Sequence, residues 1–227
     1  MSLAAPDDLL AGHPSTAYFW GRVAGDGEVH RDHLTVTTND EAAAETISEI
    51  VGSEVDHDRT TREYAHNTDI SKTEDEYTVE VTSDDLFGMG GSLGLPVDGH
   101  GNYRFGAFAD YRRDLLRGLL EGCGTICFKS SSGTVGVSFV HDDEELLELV
   151  QQLIDDCPVD APYGDLSATS SGGYWFGIDD DVAADFGIWL YEGTAETGLF
   201  APSRRRKLVQ SLDQATDVEF DRSQFEQ

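Results

Sequence analysis

The hydrophobic and polar positions of this chain write one pattern twice. Phe19-Trp20-Gly21-Arg22-Val23-Ala24-Gly25-Asp26-Gly27 and Leu116-Arg117-Gly118-Leu119-Leu120-Glu121-Gly122-Cys123-Gly124 each read as an apolar helix carrying a small residue, with a Gly-x-Gly exit into a β-prone run. The first copy continues into Glu28–Thr37, which alternates and is rich in β-branched residues, and then into a helix candidate, Asn39–Val51. The second continues into Thr125–Lys129, the turn Ser130-Ser131-Ser132-Gly133, Thr134–Val140 and a helix candidate, Asp142–Asp155. Both helix candidates open on acids, Asn39-Asp40-Glu41 and Asp142-Asp143-Glu144, at the positive end of the helix dipole. Further strands are expected at Val55–Tyr64 and Tyr77–Val81, and at Tyr163–Thr169 and Tyr174–Ile178. Each copy closes on a helix, around Ser83–Phe87 and Asp181–Tyr191. Gly27 and Gly124 lie a domain's length apart, too far for a solenoid period. The expected fold is α+β, two pseudo-symmetric αββαββα repeats.

The boundaries that follow are an N-terminal extension over 1–15, a first repeat over 16–88, a Gly-rich linker over 89–106, a second repeat over 107–212 and an acidic tail over 213–227. The linker glycines, Gly88 to Gly101, are no phosphate loop, because no Lys-Ser/Thr follows and no strand leads in. The aromatic set Tyr174, Trp175, Phe186, Trp189 and Tyr191 is expected in the core.

Charge changes the picture of the solvent and the partner. Fifteen Lys and Arg face 44 Asp and Glu, a net charge of −29. The excess is spread over both halves, and only Lys72, Lys129 and Lys207 are lysines. Self-repulsion of this size destabilises a compact state, and molar salt, with a Debye length of about 3 Å, removes most of it. A cytoplasmic protein of a high-salt cytosol is expected. The chain lacks an apolar run near the length of a membrane span and a basic N-terminal region, so neither membrane nor signal peptide is expected. Three cysteines argue against a disulfide framework.

The duplicated order, with Gly25-Asp26-Gly27 at the first helix exit, resembles the LAGLIDADG homing endonuclease family in its single-chain, two-repeat form, over roughly residues 16 to 212. Phe186-Gly187-Ile188-Trp189-Leu190-Tyr191 and Arg206-Lys207-Leu208 resemble that family's closing helix and the basic pair after it. The resemblance implies a monomer with pseudo-twofold symmetry. Its antiparallel sheets form a saddle on double-stranded DNA, and the two motif helices pack side by side at the centre through Gly21 and Gly118. Each helix would deliver one carboxylate to a Mg²⁺ site that activates water and stabilises the leaving oxygen.

By that resemblance Asp26 is the first catalytic acid and metal ligand, and Cys123 stands where the second belongs. A thiol is a soft ligand, poorly suited to Mg²⁺. Glu121, two residues earlier, points about 200° away on a helix and is a poor substitute. Cys123 is otherwise a small buried apolar residue at the interface, and Asp26 otherwise a turn residue between glycines. Cys123 and Cys127 lack a second pair for zinc. His30 and His33, three apart on a strand, point to opposite faces and read as hairpin residues. With Arg31, Lys129, Arg205, Arg206 and Lys207 they are the candidate DNA contacts, although the basic run 204–207 also suits the solvated start of a closing helix. Acidity counts against DNA, but the acids crowd the helices and leave Gly124–Val140 without one. The expected function is DNA binding with cleavage impaired, by a decayed or domesticated nuclease. The alternatives are an active Mg²⁺-dependent endonuclease or nickase, and a small-molecule or protein-interaction module that kept the fold.

Overall fold

A computed structural model describes residues 5–30, 32–63, 71–82, 93–97, 101–216 and 218–225. The first half runs α1 (Pro14–Asp26), β1 (Gly27–Val29), β2 (His33–Thr38), α2 (Glu41–Val51), β3 (Val55–Glu63) and β4 (Ser71–Thr82). The second runs α3 (Arg112–Cys123), β5 (Gly124–Lys129), β6 (Thr134–His141), α4 (Glu144–Asp155), β7 (Ser167–Ala168), β8 (Tyr174–Gly177) and α5 (Ala183–Tyr191). It then adds α6 (Thr194–Thr197) and α7 (Pro202–Gln214). Two antiparallel four-stranded sheets result, ordered β1-β2-β4-β3 and β5-β6-β8-β7. The α+β duplication expected from the sequence is the observed architecture. The expected helix around Ser83–Phe87 and linker positions 89–92 and 98–100 lie outside the described residues.

Local chemistry starts and stops these elements. Pro14 opens α1, with the His13 ring accepting from the Ser15 N–H. Asp40 and Asp143 cap α2 and α4, accepting from Ala43 and Glu145. Gly52, in the left-handed region, ends α2. The described parts of the linker are pinned, with Leu93 and Phe105 buried and the Gly101 N–H donating to Asp143.

At the centre α1 lies against α3 with backbones nearly touching. A Cβ on Gly21 would sit 2.3 Å from the Leu115 carbonyl oxygen, and one on Gly118 would sit 2.3 Å from that of Tyr18. Tyr18 and Leu115 hold the same place in the two motifs, so the contact is reciprocal. Gly25 and Gly122 repeat it one turn on, where added Cβ atoms would meet at about 3 Å the Cα atoms of Gly122 and Gly25. Such spacing admits glycine alone, for want of volume. Both helices are buried on every face near the crossing, Ser15 to Gly25 and Leu115 to Glu121. Tight contact between aligned helices in a shared core joins the repeats.

Four expectations change in detail. Glu28–Thr37 divides into β1 and β2 around a short turn, because the chain reverses after Val29. His30 and His33 therefore sit across the hairpin mouth, where the His30 N–H donates to the His33 carbonyl. Their rings stack at 4.3 Å and do not point to opposite faces. The paired strand β7 is only Ser167–Ala168, with Tyr163 bridged to Ile178. Trp175 is 44 % exposed and outside the core, since Phe176 takes the inner side of β8 and alternation turns its neighbour out.

Candidate functional site

The ends of α1 and α3 come together at an open cleft of about 410 Å³ lined by Arg22, Asp26, Glu121, Ala201, Arg204 and Lys207, among others. Asp26, the last residue of α1, keeps a quarter of its side chain exposed. Arg22, one turn back and buried, holds both of its oxygens, Nη2 donating at 2.6 Å and Nε at 3.3 Å. Burial works against the guanidinium charge, but the Asp26 carboxylate outweighs it and holds Arg22 firmly charged, with Tyr18 and Glu121 assisting.

Cys123 ends α3 beside this pair. Its thiol donates to the Leu119 carbonyl at 3.4 Å. Burial, and secondly the Asp26 charge, push the thiol up to about 12, so it is neutral at any working pH. Glu121 is turned into the core. It accepts from the Tyr18 hydroxyl at 2.6 Å and from the Ala201 N–H, at 2.9 Å to each oxygen. Burial raises its carboxyl above the ordinary range against the pull of Arg22, Tyr18, Ala201 and Arg117. The Tyr191 hydroxyl lies beside the same carboxylate without a hydrogen bond of good geometry. Arg117 donates to the Leu199 and Leu190 carbonyls and to Asp114, which ties α3 to the end of α5 and the segment before α7. Glu121 and Arg117 thus read as anchors of the closing helices.

The divalent cation implied by the resemblance does not fit these residues. Hard cations take several oxygen ligands. Here both oxygens of Asp26 face an arginine, Glu121 accepts from two donors, and a neutral thiol occupies the remaining position. Among the described residues no group of three His, Cys, Asp or Glu side chains is placed to hold a metal.

The candidate DNA contacts scatter. His30 lies 3.7 Å from Glu28, and His33 pairs with Asp32 at 2.8 Å. Arg31 lies outside the described residues. Arg205 turns onto the Phe200 ring, 3.8 Å from its centroid, half-buried. Arg206 and Lys207 are exposed, and Lys207 reaches the cleft with Arg204. Arg204 is legible in the sequence only as the first residue of the basic run 204–207, and Arg22 is not singled out there. The signal for Arg22 was present, a charge inside an apolar helix four residues before an acid.

The solvent faces of the two sheets differ sharply. Cross-strand register places Glu28, Thr35 and Glu80 in one outer row of the first sheet, Thr37, Thr78 and Asp56 in the next, then Glu76 beside Asp58. The matching rows of the second sheet are Thr125, Ser138 and Gly177, then Cys127 with Gly136, and Lys129 with Thr134. A further row joins Val140, Trp175 and Ser167. Lys129 pairs with Asp180 at the margin of that face. One face is acidic and the other near-neutral with an exposed Val140–Trp175 pair.

Comparison with known proteins bears on this geometry. The family model LAGLIDADG_4, described as "Putative archaeal homing endonuclease", matches residues 1–218. The chain superposes on the homing endonuclease I-WcaI bound to its DNA recognition sequence with a TM-score of 0.57 at 12% identity, over 87% of each chain. Full-length DUF199/WhiA from Thermatoga maritima gives 0.52 at 14% identity, covering 95% of this chain and 66% of that one. Mesophilic variants of the homing endonuclease I-DmoI give 0.50 at 15% identity, over 82% and 94%. At these identities the likeness is one of fold. No curated protein matches. No helix among the described residues is long and apolar enough to cross a membrane.

Proposed function

The chain belongs to the LAGLIDADG homing endonuclease family, and we propose that it is a monomeric DNA-binding protein in which double-strand cleavage has been lost. One observation carries this reading: where the two motif helices end together, Asp26 faces a neutral Cys123 in place of a second carboxylate. Strand cleavage by a shared metal cluster needs oxygen donors from both sides, and one side supplies a thiol. A nuclease decayed in place and one domesticated as a regulator both fit. The near-neutral face of the second sheet suits a duplex better than the acidic face of the first. In the salt that a charge of −29 favours, counterion release adds little, so recognition rests on base edges and shape.

The test is selection of bound duplexes from a randomised pool in molar KCl with Mg²⁺. The expected result is enrichment of a discrete sequence recovered uncut. Nicking of that sequence, abolished in Asp26→Asn, would favour the surviving nickase. The acidic outer face of the first sheet favours a second reading, a protein-interaction module that kept the fold and left DNA. Failure to enrich any duplex sinks the DNA reading and leaves that one standing.

A further inference from the structure

Arg22 is a charged side chain in the middle of an apolar helix, 1 % exposed, and Leu119 holds its place in the second motif. A buried guanidinium is costly unless its hydrogens and charge are met. The groups that meet it come from both motif helices. Asp26 on α1 accepts from Nη2 and Nε, and Glu121 on α3 lies within electrostatic reach.

We propose that Arg22 is a built-in counter-cation at the meeting of the motif helices, standing in for a divalent ion and closing the site to one. The guanidinium fork faces both Asp26 oxygens, the geometry in which arginine binds carboxylate best. A cation bound four residues away on the same helix has no association entropy to lose, so it outcompetes an ion from solution for the same oxygens. Glu121 is buried and already accepts from Tyr18 and Ala201, so a metal would have to compete with those donors for its oxygens. The arrangement holds the helix ends together with no metal and leaves Arg204 and Lys207 as the cleft's further cations. It rests on the reading of an impaired catalytic centre and is independent of whether DNA is bound.

The test is Mn²⁺ binding followed by electron paramagnetic resonance, on the full chain without DNA, in molar KCl to suppress diffuse binding to the acidic surface. Wild type and Asp26→Asn are expected to bind Mn²⁺ alike. Cys123→Asp alone, with Arg22 in place, gains no specific site. Arg22→Met combined with Cys123→Asp gains one, at least about tenfold tighter than the residual binding, and Asp26→Asn removes it again. A wild-type site that Asp26→Asn removes would overturn the proposal. So would a folded double variant with no site, or Cys123→Asp alone binding as tightly as the double. If the double variant does not fold, the Mn²⁺-induced change in Tm decides: the proposal expects the same small change in wild type and Asp26→Asn, and a rise confined to wild type defeats it. Mg²⁺-dependent cutting by wild type would defeat both this inference and the impaired-nuclease reading, whereas a wild-type Mn²⁺ site without cutting defeats the inference alone.

Discussion

At the end of α1 an aspartate accepts two hydrogen bonds from an arginine one turn back; at the end of α3 a thiol donates to the carbonyl of a leucine one turn back. The backbones beneath these two ends are related by the same pseudo-twofold contact, Gly21 against Leu115 and Gly118 against Tyr18. Packing at the crossing depends on the absence of side chains, so it tolerates any pair of residues at the exits. Exit chemistry depends on side chains that the packing does not read. The second helix, with its exit neutral, does its polar work deeper, where Glu121 and Arg117 fasten the segment ahead of α7 and the end of α5. The two sheets diverge in the same sense, acidic outside the first and near-neutral outside the second. Duplication kept the scaffold symmetric while the surfaces drifted apart.

The harshest way to break the comparison is at the shared backbone contact. Gly21→Val and Gly118→Val should each cost about 3 kcal/mol or more, since backbone atoms stand 2.3 Å from the new Cβ and neither helix can yield without moving the other. Urea midpoints that differ widely between the two variants would show that the halves are not equivalent at the crossing.

A smaller effect separates the exits. Asp26→Asn leaves Arg22 buried without its counter-charge and should cost about 2 kcal/mol, discounted for the part of Asp26 that water reaches. Cys123→Ala, removing one half-buried sulfur, should cost about 1 kcal/mol or less. Equal losses would erase the asymmetry argued for them.

The smallest expected effect lies in pH. Burial raises the Glu121 carboxyl, so the native state binds its proton over a range in which the unfolded chain has released it. Stability from this group is full below the ordinary glutamate range and falls as pH rises through the raised one. Glu121→Gln keeps an acceptor for Tyr18 and Ala201 but cannot titrate. Its Tm should vary less with pH between about 4 and 7 than that of wild type, and parallel curves would assign the dependence elsewhere.

Much of the fold was legible in the chain because it follows from local rules. The motif helices announce themselves by apolar runs between glycines, and Asp40 and Asp143 are caps at matching positions. The extent of β4 was not legible. It begins at Ser71, well before the alternating Tyr77–Val81, because the β3–β4 ribbon is polar, as Arg59 opposite Asp75 and Asp58 opposite Glu76 illustrate. Strands of that kind pair through the backbone with no hydrophobic signal. At the site, Asp26 and Cys123 stood out as the variable position of a repeat. Arg22 did not, since a lone arginine in an apolar segment carries no statement of its partner until the helix has turned once.

The sequence alone determined the duplication, the two glycine-lined helices and the cysteine that stands at one motif's exit where the other has an aspartate, because periodicity, small residues and motif register are properties of the chain. Only the tertiary structure decided what those residues do to one another. It placed Arg22 against both oxygens of Asp26, turned Glu121 inward to Tyr18 and Ala201, and set Glu28, Asp56, Asp58, Glu76 and Glu80 on one sheet face. Each of those outcomes depends on which groups share a desolvated space, and that is fixed by elements far apart in the chain meeting in the core, as Tyr18 and Glu121 do across 103 residues.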